Sequence, residues 1–219
     1  MTRVFTEDGT SVPVTVIEAA PNTVTALRRA DRDGYDAVQL AGEPVAEEKL
    51  TKAELGHLKK AGAPAMRTVV EFRDAEVPGG GSAASESEGE GEESEEAAAP
   101  NATKVGDEVT VSSFEPGQRV KVSAVSTGKG FQGTIKRHNF SRGPETHGSH
   151  NVRAPGSVGA SADPARVFKG VRMPGQMGAR RVTQRGAHVV EVDAENNLLL
   201  IRGSVPGGSN ATVEVRSDG

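Results

Sequence analysis

The stretch from 128 to 138, GKGFQGTIKRH, holds the residues whose types and spacing are best suited to bind phosphate. Its first six residues fit G-x-G-x-x-G, which cradles a dinucleotide when a strand precedes it, a helix follows it and an acidic residue stands about 20 positions later. Residues 134–140 make a poor helix start, and no acidic residue stands at that distance. The pattern therefore disfavours a nucleotide cofactor, and the glycines are expected to let the backbone lie close against another backbone.

Two other kinds of site have little support in this region. His138, His147 and His150 would need a further ligand to hold zinc, and they are expected instead to donate hydrogen bonds to phosphate or sugar groups. The serines lack a G-x-S-x-G elbow, and paired carboxylates occur mainly in a low-complexity segment that cannot hold them in a fixed geometry. No metal site, no cofactor and no enzymatic activity are predicted.

A basic segment, here called the arm, runs from 128 to 185 and has eleven Lys and Arg against two acidic residues. It contains ten Gly, so little regular structure is expected along it. Each unpaired cation can neutralise one phosphate and release a counterion, which predicts an RNA partner; the alternative is a solvated basic loop. The predicted RNA-binding residues are Lys129, Lys136, Arg137, His138, Arg142, His147, His150, Arg153, Arg166, Lys169, Arg172, Gln176, Arg180, Arg181 and Arg185.

The net charge of -4 averages segments of opposite sign. Residues 75–103 are acidic and too poor in apolar side chains to fold, so disorder is predicted there. This segment is interpreted as a tolerated insertion, or alternatively as an acidic mimic of nucleic acid that shields the arm. The chain has no Cys, no apolar run near the roughly 20 residues that span a bilayer, and no signal-peptide layout at its start, so a soluble cytoplasmic protein is expected.

Short, evenly spaced strands flank the arm and indicate a small barrel or sandwich. Thr51-Lys52-Ala53-Glu54 matches a capping box, which predicts a helix at 51–61. The predicted strands lie at 12–19, 22–29, 34–40, 66–72, 107–114, 118–126, 187–194, 197–203 and 211–216.

These residues also resemble a known family. The stretches 129–159, 167–183 and 189–207, together with the opening 1–19, are similar to large-subunit ribosomal protein three of bacteria. The most specific stretch is VFKGVRMPGQMGARRVT at 167–183. The resemblance covers nearly the whole chain apart from 75–103, an acidic insert that is not typical of the family.

The resemblance implies a mostly β fold with an α+β insertion, in which a translation-protein-type β-barrel carries a long extended RNA-binding loop. The implied organisation is 1–74 for the N-terminal strands and α+β part, 75–103 for the acidic insert, 104–127 for barrel strands, 128–185 for the arm and 186–219 for the C-terminal barrel strands.

For function, the resemblance implies a structural component of the large ribosomal subunit. Such a protein binds 23S-type rRNA directly, supports early subunit assembly and extends a loop toward the peptidyl transferase centre without catalysing a reaction. Its implied neighbours are large-subunit ribosomal proteins fourteen and nineteen. The alternative is a translation-factor-like barrel that binds RNA transiently. The implied loop tip is Gly159, Ala160, Ser161, Ala162 and Asp163.

Overall fold

The computed structural model describes residues 1–73 and 103–218, which form a mostly β structure with a few short helices. The helices are α1 (Ala30–Asp33), α2 (Lys52–Lys60) and α3 (Thr134–His138), with 3-10 turns at Glu47–Lys49 and Val111–Ser113. The strands are β1 (Thr2–Phe5), β2 (Ser11–Glu18), β3 (Asn22–Arg28), β4 (Ala37–Pro44), β5 (Met66–Arg73), β6 (Glu108–Val109), β7 (Arg119–Val125), β8 (Gly130–Gln132), β9 (Gly175–Met177), β10 (Arg181–Asp193), β11 (Leu198–Arg202) and β12 (Val213–Ser217).

The strands pair into three sheets. Their orders are β1-β2-β11-β10-β7-β12, β5-β4-β3-β6 and β8-β9. The mostly β class predicted from the sequence is confirmed. Closure of a sheet into a barrel is not seen among these pairings of the described residues, so the barrel stays a prediction.

The chain divides into two compact units. One comprises Met1–Val120, Gly186–Ser204 and Arg216–Gly219, and the other comprises Lys121–Arg185 and Val205–Val215. The unit boundaries fall inside β7, β10 and β12. The domain organisation implied by the family resemblance stays a prediction, and its acidic insert lies outside the described residues apart from 103.

Strand alternation builds the core of the first unit. Along β11, Leu199 and Ile201 are fully buried, whereas Leu198 and Leu200 between them are only half-buried. Val14 of the neighbouring β2 is also fully buried, and β2 pairs with β11 in antiparallel register. Because successive side chains of a strand point to opposite faces, this period of two places one face of each strand in the core.

The predicted capping box starts helix α2 as expected. The Thr51 backbone N–H donates to Glu54 Oε2 at 2.8 Å, and the Glu54 N–H donates to Thr51 Oγ1 at 3.4 Å. Leu58 on this helix is buried against Ala41, Ala63 and Met66. The helix therefore packs its one buried side chain against β4 and β5 of the four-stranded sheet.

Three sequence predictions of elements need correction. The strand predicted at 107–114 is only β6, because its pairing with β3 ends at Val109 and a 3-10 turn that buries Val111 follows. The strand predicted to begin at 187 begins at Arg181, inside the arm. Residues 134–138, judged a poor helix start, form the short helix α3.

Candidate nucleic-acid interface

A short two-stranded ribbon, here called the stem, holds the two ends of the arm together. β8 pairs antiparallel with β9, with Phe131 opposite Gln176. The Lys129 N–H continues this pairing by donating to the Met177 carbonyl at 2.9 Å. At the base, the Ser126 N–H donates to the Arg180 carbonyl at 2.9 Å. The long excursion between the two stem strands therefore starts and ends at one place.

Helix α3 is fixed to the chain that leads into β9. Arg137 Nη1 donates to the Met173 carbonyl oxygen at 2.6 Å, and His138 Nε2 lies 3.1 Å from the same oxygen. The helix ends at Asn139, which adopts the left-handed conformation with φ 59°. Both contacts join residues about 35 positions apart in sequence, so the outgoing and returning parts of the arm meet here.

The closest backbone approach in the stem occurs at Gly178. A Cβ added there would lie 2.1 Å from the Thr127 carbonyl oxygen and 3.1 Å from Gly128 Cα, so only glycine fits. A Cβ at Gly130 or Gly133 would meet no described atom within 4 Å. The close-approach prediction for the G-x-G-x-x-G glycines thus holds at Gly128 and is wrong at the other two positions.

The basic side chains of the arm project into solvent. All of them are exposed except Arg137, which is half-buried. Within the described residues only two form ion pairs, Arg142 with Glu145 and Arg181 with Glu214. The side chains that make no hydrogen bond, ion pair or ring contact with the described residues are Lys129, Lys136, Arg153, Lys169, Arg172, Arg180 and Arg185.

Arg181 differs from these unpaired cations because its partner lies on another strand. Its guanidinium donates two hydrogen bonds to the Glu214 carboxylate of β12, one of them at 2.6 Å. These hydrogen bonds and the negative charge of Glu214 raise the pKa of Arg181. Nothing local in the sequence indicates this pair, because the two residues are 33 positions apart.

The sequence of this chain is similar to known proteins over nearly its whole length. The family model for ribosomal protein L3 matches residues 89–198, which include the whole arm and its stem. The large ribosomal subunit protein uL3 of Alteromonas mediterranea is 47% identical over 99% of this chain and 92% of that protein. The chain belongs to the ribosomal protein L3 family. The uL3 protein of Alkalilimnicola ehrlichii is 48% identical over 99% of this chain and 90% of that protein. The uL3 protein of Synechococcus sp. is 45% identical over 98% of this chain and 90% of that protein.

The histidines of this L3-family arm do not converge. His138 is bound to the Met173 carbonyl, and His147 and His150 are exposed further along the arm. Among the described residues, no three His, Asp or Glu side chains are grouped so as to hold a metal ion. Donation by these histidines to phosphate or sugar stays a prediction. Gln176 is exposed, and its amide nitrogen donates to the Met177 carbonyl at 3.2 Å.

The predicted tip of the arm, 159–163, is exposed at every residue. Ser157 Oγ donates to the Gly159 carbonyl at 3.2 Å, and a Cβ at Gly159 would lie 3.8 Å from the Arg166 carbonyl oxygen. The chain therefore doubles back at this point. Arg166 in turn stacks over the Phe168 ring at 5.4 Å from its centroid. No helix in the described part of this L3-family chain is long and apolar enough to cross a membrane.

Proposed function

We propose that this chain is a structural constituent of the large ribosomal subunit that binds 23S-type rRNA through its arm. The observation that carries the proposal is the set of exposed arm cations without an acidic partner among the described residues, held on a stem that fixes both ends of the arm. Its L3-family relatives are named as large ribosomal subunit proteins.

Phosphate contacts supply most of the affinity in this proposal. Each solvated Lys or Arg that reaches a phosphate releases a counterion, and the planar guanidinium of Arg suits two phosphate oxygens at once. Specificity comes from the shape of the folded RNA, because A-form helices offer side chains little sequence to read. The arm also exposes Phe131, Val167 and Phe168, apolar side chains that gain burial only when a partner covers the arm.

The finer parts of the proposal concern the position of the protein in the particle. The strands on either side of the arm form a translation-protein-type barrel on the rRNA surface, and the tip at 159–163 points toward the peptidyl transferase centre without catalysing a reaction. The protein supports early subunit assembly, with large-subunit proteins fourteen and nineteen as its neighbours. All seven unpaired arm cations serve as phosphate contacts.

Co-sedimentation with large subunits in high salt tests the proposal. The full chain is compared with a variant in which 141–171 is replaced by a short Gly-Ser linker. This replacement retains α3 and β9, which lie outside the replaced residues. Because His138 contacts Met173 directly, the stem can form without the residues between them. We expect the full chain to stay on the particle and the linker variant to wash off or assemble poorly.

A second variant tests whether the positive charges of the arm, and not only its presence, contribute to rRNA binding. Arg153, Lys169 and Arg172 are changed to Gln, and a matched control changes two exposed lysines of α2, Lys52 and Lys60, in the same way. The arm variant is expected to bind rRNA more weakly with a flatter salt dependence, and the α2 control is expected to bind like the full chain.

In the co-sedimentation experiment, release of the full chain into the soluble fraction would instead favour a transient RNA-binding factor.

A further inference from the structure

The stem turns an aromatic side chain toward solvent. Phe131 and Gln176 stand directly opposite each other in the β8–β9 pair, so both side chains lie on the same face of the ribbon. Phe131 leaves 75% of its surface exposed, and Gln176 is exposed beside it. Gln132, Gly175 and Met177, from the other face, are half-buried. Side chains alternate between the two faces of a strand, and burial favours placing an aromatic side chain on the more buried face. Phe131 instead lies on the exposed face of the stem.

Phe131 is exposed and stands between two lysines in the sequence. Within the described residues, the exposed Phe131 ring has no aromatic or cation–π partner, so the ring is not engaged by the fold itself. Lys129 and Lys136 are both exposed and make no ion pair with the described residues. A single exposed aromatic ring, with two unpaired lysines two and five residues away in sequence, is not an apolar patch of the kind that docks another protein. A ligand with a flat ring and an attached negative charge complements it.

We propose that Phe131 and Gln176 form a stacking platform for one unpaired nucleobase of rRNA. The phenyl ring stacks on the base, and the Gln176 amide lies beside it to bond the base edge with its carbonyl oxygen and with the N–H that is not donated to Met177. Lys129 neutralises a phosphate of the same nucleotide. The base is unpaired because bases within an A-form helix are already stacked and do not present a free face.

This inference rests on the proposed function, and it adds a contact that does not depend on charge. The affinity from phosphate contacts falls as the salt concentration rises, because those contacts release counterions. Stacking of a base on a ring releases no counterion, so its contribution does not change the salt slope. The two contributions are therefore separated by measuring affinity over a range of salt concentrations.

The test measures the dissociation constant of the full chain for in vitro transcribed 23S-type rRNA at several salt concentrations. Phe131→Leu keeps an apolar side chain but removes the π face, and it is expected to weaken binding about tenfold with an unchanged salt slope. Phe131→Trp is expected to bind at least as tightly as the native chain. Lys129→Gln is expected to give the opposite pattern, a flatter slope.

A matched control and a footprint locate the effect. Phe5 of β1 is similarly exposed at 69%, and Phe5→Leu is expected to leave the footprint at the platform nucleotide intact. Chemical probing of the RNA should show one unpaired nucleotide that the native chain protects and Phe131→Leu does not. Thermal unfolding of each variant verifies that the stem is still formed.

Two results would overturn the platform while leaving the proposed function standing. In the first, Phe131→Leu binds rRNA as tightly as the native chain and gives the same footprint, while the linker variant lacking 141–171 still fails to co-sediment with the large subunit. In the second, Phe131→Leu keeps its rRNA affinity but loses a contact with another large-subunit protein in the assembled particle. That result would make a protein the partner of Phe131.

Discussion

Arg181 and Glu214 form a two-point ion pair, and this pair distinguishes Arg181 from its neighbour Arg180. The Glu214 side chain is only 15% exposed, whereas that of Arg181 is 54% exposed. The Arg180 side chain makes no hydrogen bond or ion pair with the described residues, although its backbone carbonyl binds Ser126. Two adjacent arginines that look equivalent in the sequence therefore have different roles, one within the fold and one toward solvent.

Arg180→Gln is expected to reduce rRNA affinity and to flatten its salt dependence by about 0.7–0.9 in log K per log salt, because one phosphate contact is lost. Arg181→Gln is expected to change that slope much less. Filter binding at several salt concentrations measures both variants. Equal slopes for the two variants would show that Arg181 leaves Glu214 when RNA binds.

The ion pair itself is expected to contribute about 1 kcal/mol to folding, the upper end for a pair with one exposed partner. Its two hydrogen bonds and the low exposure of Glu214 favour this end of the range. A double-mutant cycle of Arg181→Gln and Glu214→Gln, measured by urea unfolding, gives the coupling energy. A coupling near zero would mean that each residue is stabilised independently by its other neighbours.

Gly178→Ala is expected to disrupt the stem, because the added Cβ would lie 2.1 Å from the Thr127 carbonyl oxygen. Gly148→Ala is the matched control, since Gly148 has the same φ of 73° and open space around it. The control should lose only the roughly 1–2 kcal/mol of a non-glycine residue in the left-handed region. Urea unfolding should show a larger loss for Gly178→Ala, together with weaker rRNA binding. Similar losses for both variants would contradict the close approach.

Glu71 is expected to make folding sensitive to acid. Its carboxylate accepts hydrogen bonds from Tyr35 Oη at 2.9 Å, Arg28 Nε at 3.2 Å and Gln39 Nε2 at 3.2 Å. The Tyr35 hydrogen bond, followed by the interaction with Arg28, lowers the pKa of Glu71. The unfolded chain therefore takes up a proton at higher pH than the folded chain. The stabilisation is complete above the ordinary glutamate pKa of about 4.3 and is lost as pH falls through the lower, folded value.

The free energy of unfolding of the native chain and of Glu71→Gln, measured from neutral pH down through this window, tests that expectation. The native chain should lose stability more steeply than the variant as the pH falls below about 4.3. Parallel curves would show that Glu71 titrates alike in the folded and unfolded states.

Ile201→Ala is expected to cost about 2–5 kcal/mol of folding free energy, because Ile201 is fully buried on β11 and its truncation leaves a cavity. Val16→Ala on the adjacent β2 is the control, since Val16 is 42% exposed and should cost much less. Urea unfolding of both variants compares them. A small loss for Ile201→Ala would mean that the surrounding strands collapse into the space.

Local patterns in the sequence were sufficient to predict several elements. The capping box at Thr51 and Glu54 predicted where α2 begins, because both hydrogen bonds join residues three positions apart. The short apolar run at 197–203, with turn residues before and after it, predicted β11. The excess of cations over acids between 128 and 185 likewise predicted an exposed basic segment.

Other features were decided by residues far apart in the chain. The five-residue helix α3 has weak local signals and is held by Arg137 and His138 on the Met173 carbonyl. The early start of β10 accompanies backbone pairing of Ser126 with Arg180. A prediction from local pattern cannot weigh such contacts, because their partners are not neighbours in sequence.

The sequence by itself determined the family, the charge of the arm and the main strands, since all three depend on residue types along the chain. Only the tertiary structure decided which cations remain free, which glycine is sterically required and which face of the stem carries Phe131. Arg181 is paired because β12 brings Glu214 to it, and Gly178 is required because Thr127 lies against it. Both outcomes depend on atoms brought within a few ångströms by folding.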